Sequence, residues 1–268
     1  LIEKKIIELK IVRDVIKIKD IKDPRILEDG IGYIRVVEFR ENTATDIRVA
    51  IDNLRKQGMN AFILDLRNNP GGLLDVAVKV TENFLEKGKL IVYTKGRKAS
   101  QNLEFLAQSN RPVLEVPMVV LINEGSASGS EIVAAALQDY KRAILLGMKS
   151  FGKGSVQTVI PLSDGSALRL TTSKYYTPLG RQIHGKGIMP DIVVEDGKIQ
   201  SASGKKDDLD DNKKEDVFEE IEKKDKKEPK AQDKKKEELK SDNQLMRAVD
   251  VLKALKIYKT FTQNDASP

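Results

Sequence analysis

The chain has 268 residues and an ordinary apolar fraction of 40%, enough to bury a sizeable core, and it has no cysteine, which excludes disulfides, thiolate catalysis and Cys-ligated zinc. Its 47 basic and 41 acidic residues interleave to a net charge of +6, and no basic stripe alternates with aromatics, so nucleic acid is not an expected partner. No run of 18 apolar residues reads as a membrane-spanning helix.

The chain begins at Leu1 rather than Met, inside the alternating stretch IIELKIVRDVIKIKDI, which predicts strand. A trimmed fragment is therefore expected, with any signal peptide or anchor in the missing part. DPRILEDGIGYIRVVEF reads as a turn and a second strand. Ile47, Ile51 and Leu54 recur at helical spacing over residues 43–57, with Thr43 or Thr45 as N-cap and Gly58 as the stop. AFILDL is apolar almost throughout, as in a strand buried on both faces. NNPGG is a turn, and LLDVAVKVTENFLEKG an amphipathic helix closed by Gly88.

LIVYT and MVVLIN are further buried-strand candidates, separated by an irregular polar segment at 96–117. SASGSEIVAAALQDYK predicts a helix, AILLG a strand, and SVQTVIPL with SALRLTTSKYYT a hairpin about Ser163, Asp164 and Gly165. This order implies a layered α/β core. From about residue 201 to 240, Lys, Asp and Glu dominate, so that segment reads as a solvated linker, and its DDLDDN cluster lacks the spacing and turn glycine of a calcium loop. After it, Leu245, Val249, Leu252 and Leu255 form one apolar helix face, capped by Ser241 or Asp242, expected to dock on the core or on another chain.

Three motifs bear on chemistry. Gly147 to Lys153 satisfies G-x-x-x-x-G-K, but the next residue is Gly154, not Ser or Thr, and β-branched strand follows instead of a helix, so it fails as a phosphate loop. Ser128, Gly129, Ser130 and Glu131 match a helix capping box. The same turn joins a buried strand to a helix, so Ser128 can be presented as a nucleophile beside free helix amides, with Gly129 allowing close approach of a carbonyl. His184, the single histidine, has no acidic residue near it in sequence and reads as structural or surface. Lys153, set between Gly152 and Gly154, is the better base if packing dehydrates its amine, which requires a pKa lowered from about 10.4 towards 7–8. Gln157, four residues on, shares its face if both lie in one strand and can hold the amine. In LDLRNNPGG, Gly71 or Gly72 can supply a second oxyanion amide, while Asp65 and Arg67 read as a structural pair.

LDLRNNPGG, LINEGSASGSEIVAAALQD, GMKSFGKGSVQT and GKGIMPDI, in that order, resemble the carboxyl-terminal processing peptidases, or tail-specific proteases. The resemblance covers roughly residues 30–195. It implies an α/β, ClpP/crotonase-like core and a serine–lysine endopeptidase cutting proteins near apolar C-termini, without metal or cofactor. Matched by position, Ser128 is the nucleophile, Lys153 the general base and Gln157 its partner; Gly129 and one of Gly71 and Gly72 give the oxyanion amides. The family often has Ala where this chain has Gly129. Members usually carry a PDZ domain ahead of the core, so residues 1–22 are expected to be its remnant or its linker strand, 23–197 the catalytic core, 198–240 a charged linker and 241–262 a terminal helix. The resemblance further implies a periplasmic or extracytoplasmic location, a regulatory or adaptor partner and possible self-association. A non-catalytic scaffold that binds protein tails is the rival reading.

Overall fold

A computed structural model describes residues 19–111, 113–197 and 242–264, with side chains described as far as Tyr258. The strand expected over residues 6–21 lies outside the described residues up to residue 18, and the charged segment expected from about residue 201 to 240 lies wholly outside them.

Six strands form the main sheet: β1 (Ile21–Ile26), β2 (Ile31–Val36), β3 (Ala61–Asp65), β6 (Met118–Ile122), β7 (Ile144–Gly147) and β10 (Ile192–Val193), adjacent in that order. All neighbours run parallel except the β1–β2 pair. β3 and β6 are wholly buried, as uninterrupted apolar runs require. The DPR segment expected as a turn lies inside β1 instead. Pairing with β2 is irregular between Lys22 and Arg25, and Asp23 takes φ 52°; a bulge on this edge strand accommodates Pro24, which cannot donate to a ladder.

Three helices cover one face: α1 (Thr43–Lys56), α2 (Leu74–Thr81) and α3 (Gly129–Asp139). The side chains Ile34, Phe62, Leu64, Val120 and Leu145 meet Ile47, Leu54, Val80 and Val133 there. The opposite face, through Ile31, Ile63, Val119 and Leu121, receives α4 (Asn243–Asn264) by way of Leu245, Ala248, Val249 and Leu252. The terminal helix thus docks on this chain's own core. α2 stops about seven residues before Gly88. Asn83 Nδ2 donates to the Val80 carbonyl at 2.9 Å, the one the Phe84 N–H would take in a further turn, and Phe84 bonds Thr81 instead.

A second, antiparallel sheet orders β5 (Glu104–Leu106), β4 (Leu90–Gly96), β9 (Ala167–Tyr176) and β8 (Ser155–Pro161). The β8–β9 hairpin leaves Val159, Ile160, Leu168 and Leu170 exposed, and β8 is a free edge.

Candidate active site

Parallel β3 and β6 are neighbours, so the turns leaving their C-terminal ends meet. Seven hydrogen bonds stitch these turns together and to the sheet. Ser126 Oγ donates to the Leu66 carbonyl at 2.8 Å and accepts the Asn123 N–H; Ser130 Oγ donates to the Asn69 carbonyl at 2.9 Å. The Ala127 N–H reaches that same carbonyl at 3.0 Å, Asn68 and Asn123 exchange two bonds, and Asn69 Nδ2 donates to the Val36 carbonyl. Two of the three serines are therefore consumed in shaping the turn. Ser128 is not, and no hydrogen bond from its hydroxyl joins it to Lys153 or Gln157.

Ser128 is half-buried at the N-terminus of α3 with φ 54° and ψ −111°. That conformation costs a non-glycine residue about 1–3 kcal/mol and persists because the turn over-determines it. It is the backbone of a nucleophile elbow. The Gly71 Cα lies against this turn: a β-carbon at Gly71 would sit 2.8 Å from both Ser128 Cβ and the Gly129 nitrogen. The Gly71 N–H already donates to Asn69 Oδ1 at 2.9 Å. Among the described residues, the Gly72 and Gly129 N–H groups have no acceptor.

Glu131 is the residue whose role the capping motif understates. It is fully buried, and its carboxylate accepts four hydrogen bonds. Oε2 takes the Ser128 N–H at 2.9 Å and the Lys153 N–H at 2.8 Å; Oε1 takes Ser150 Oγ at 2.5 Å and the Gly152 N–H at 2.7 Å. One carboxylate on α3 thus holds the backbone of both Ser128 and Lys153. Ser150 Oγ also accepts the Ile188 N–H at 2.7 Å, which fastens GKGIMPDI beneath the lysine loop. The legible signal for this was a lone acid in the otherwise apolar EIVAAAL.

The lysine side of the site departs from the sequence reading. Gly152 and Gly154 do pack closely: a β-carbon at Gly154 would fall 2.3 Å from the His184 nitrogen. This close approach fits the loop backbone onto residues 183–187 and does not enclose the amine, since the Lys153 side chain is exposed. β8 begins at Ser155, and its pairing slips between Val156 and Gln157, so strand alternation does not carry Lys153 and Gln157 onto one face. Gln157 is exposed, as is His184.

Asp65 and Arg67 do pair. Arg67 Nε and Nη2 donate to the two Asp65 oxygens at 3.0 and 2.7 Å, and the Tyr33 hydroxyl donates to Asp65 at 2.7 Å. Burial pushes the Tyr33 hydroxyl well above its ordinary range, and the Asp65 charge pushes it further. Burial alone would ease proton loss from Arg67, but its bonds to Asp65 and Asp242 outweigh that and hold it protonated. A cavity of about 480 Å³ between α1 and α2, lined by Arg48, Arg55 and Arg111 among others, contains none of these residues.

Fold and elbow define a layered α/β core that presents a serine at a strand-to-helix turn. The chain belongs to peptidase family S41, whose sequence pattern matches residues 30–194. It is 52% identical over 193 residues to a carboxy-terminal-processing protease of Bartonella bacilliformis, covering 70% of this chain and 44% of that protein. A CtpA-like serine protease of Staphylococcus epidermidis is 41% identical over 194 residues, covering 72% of this chain and 39% of its own. The structure of photosystem II D1 C-terminal processing protease superposes with a TM-score of 0.60 at 33% identity, over 67% of this chain and 49% of that one. The chain thus spans less than half the length of these relatives.

Proposed function

We propose that this chain is the catalytic unit of a serine endopeptidase that cleaves protein substrates near their C-termini. The observation that carries this reading is the Glu131 carboxylate, which accepts the main-chain N–H of Ser128 and of Lys153 together. Two residues 25 apart in sequence are thereby fixed on one support, next to the Gly129 amide that opens α3.

In this reading, neutral Lys153 takes the Ser128 hydroxyl proton as Oγ attacks the scissile carbonyl. The carbonyl oxygen gains charge and receives the N–H groups of Gly129 and, of the glycine pair, Gly72, because the Gly71 amide is already engaged by Asn69. The carbon–nitrogen bond breaks as Lys153 returns the proton to the leaving amine. Water then attacks the Ser128 ester, giving its proton through Lys153 back to Oγ. Gln157 orients the amine once the hairpin closes on substrate. Since Lys153 is exposed in this chain, dehydration of its amine falls to the bound peptide or to a preceding PDZ domain packed over the hairpin. Apolar C-terminal residues as the recognised ends, and an extracytoplasmic site of action, belong to the same proposal.

A fluorophosphonate probe tests it. Mapping should place the adduct on Ser128, and Lys153→Ala should remove both labelling and cleavage of an apolar-ended peptide while the fold persists. Cleavage by Lys153→Ala at a near-normal rate would sink the mechanism. Absence of any adduct on the wild-type chain would favour the tail-binding scaffold instead.

A further inference from the structure

We infer that Asp242, at the start of α4 and outside the family-matched residues 30–194, is a positioning residue of the active site, acting through Arg67 on the 68–72 turn. The inference rests on the serine-peptidase reading above and names a further residue for the same site.

The Arg67 guanidinium has five N–H donors, and all five are engaged. Nε and Nη2 hold Asp65; Nη1 and Nη2 reach Asp242 at 2.9 and 2.8 Å; the second proton of Nη1 reaches Gln244 Oε1 at 3.0 Å. The Arg67 side chain is only 10% exposed, so losing Asp242 would leave donors desolvated and unpaired. The fork also lies between two carboxylates, one fully buried in β3 and one on α4, which sets the plane of the guanidinium as well as its charge.

Arg67 directly precedes Asn68, Asn69, Pro70, Gly71 and Gly72. Through Asn69 this turn holds the Gly71 amide, the Ala127 N–H and the Ser130 hydroxyl, and so shapes the ground on which Ser128 and the Gly72 amide stand. A rotation at Arg67 would thus reach the proposed oxyanion donor within five residues. Asp242 Oδ1 also accepts the Leu245 N–H at 3.0 Å, so the carboxylate that orients Arg67 is the one that caps α4. Gln244 adds a third tie, from its Nε2 to the Val194 carbonyl at 2.8 Å, where the chain leaves β10. The apolar stripe of α4 buries the sheet face; this polar end does something separable from that.

Asp242→Asn in the full 268-residue chain separates the two, because Asn remains a good N-cap but offers Arg67 an amide in place of a carboxylate. Leu252→Ala is the counterpart: it loosens helix packing without touching Arg67. For Asp242→Asn we expect an unchanged KM for a peptide substrate and a kcat lowered about ten- to a hundredfold, with affinity for a peptide boronate falling in step. Amide exchange at Gly71 should quicken while β6 stays protected. Leu252→Ala should lower Tm and leave kcat near normal below it. Wild-type kcat and boronate affinity in Asp242→Asn, or parallel loss of Tm and kcat in both variants, would overturn the inference. Should the wild-type chain form no adduct at Ser128, the peptidase reading has failed, and Gly71 exchange then decides the coupling on its own: unchanged exchange in Asp242→Asn removes it.

Discussion

The two halves of the proposed catalytic pair are built by opposite means. Ser128 stands on a turn pinned to the ends of two buried parallel strands through Ser126, Ala127 and Ser130, with its own backbone held at a positive φ. Lys153 opens an exposed hairpin whose free edge strand carries apolar side chains in solvent. Only the Lys153 backbone, gripped by Glu131, shares the rigidity of the serine half. The serine half is thus pre-organised by buried hydrogen bonds, whereas the lysine side chain stands on an exposed hairpin.

That contrast can be broken most directly at its ends. Lys153→Ala should reduce cleavage by about 10⁴-fold or more while Tm hardly moves, since an exposed side chain contributes within about 0.5 kcal/mol. Glu131→Gln should lower both activity and stability, the latter by about 2–4 kcal/mol, because the amide nitrogen faces N–H donors in a fully buried site. A Tm unchanged in Glu131→Gln would show that the two halves are not held by this carboxylate. Thermal melts run beside peptide kinetics check both.

The glycines sharpen the serine side. Gly71→Ala places a β-carbon 2.7 Å from the Ala127 carbonyl oxygen at φ 101°, so a loss of about 2 kcal/mol and most activity is expected. Gly129→Ala meets the Phe39 ring at 3.1 Å, a few tenths of an ångström of adjustment, and should keep most activity. Urea titrations with single-turnover rates distinguish the two.

The smallest effect concerns pH. Burial raises the Asp242 carboxyl, but the bonds and charge of Arg67 outweigh burial and hold it below the ordinary value of about 3.9. A depressed folded pKa stabilises fully above about pH 4 and loses that contribution as pH falls through the folded value. The Tm gap between wild type and Asp242→Asn should therefore stay constant near neutrality and close under acid, which a melt series down to about pH 2 would record.

Much of the fold was legible. AFILDL and MVVLIN read as doubly buried strands because nothing polar interrupts them, and Leu245, Val249 and Leu252 announced a helix with one apolar face. Asp23 and Pro24 misled, since a bulge on an edge strand looks like a turn when its pairing partner is unknown. The α2 terminus was overrun because Asn83 acts through a side-chain bond to the Val80 carbonyl, which periodicity does not register.

What the sequence determined by itself was the chemistry on offer: one serine at a small-residue elbow, a lysine between glycines, two glycines after a strand, and no thiol. These follow from residue type and near spacing, where backbone geometry is local. Tertiary structure alone decided which groups are still free to react. It committed Ser126, Ser130 and the Gly71 amide to the turn, gave Glu131 four donors from as far as 22 residues away, and brought Asp242 to Arg67 across 175. Such assignments depend on which buried polar groups find partners, and in a packed sheet those partners come from strands that sequence distance does not relate.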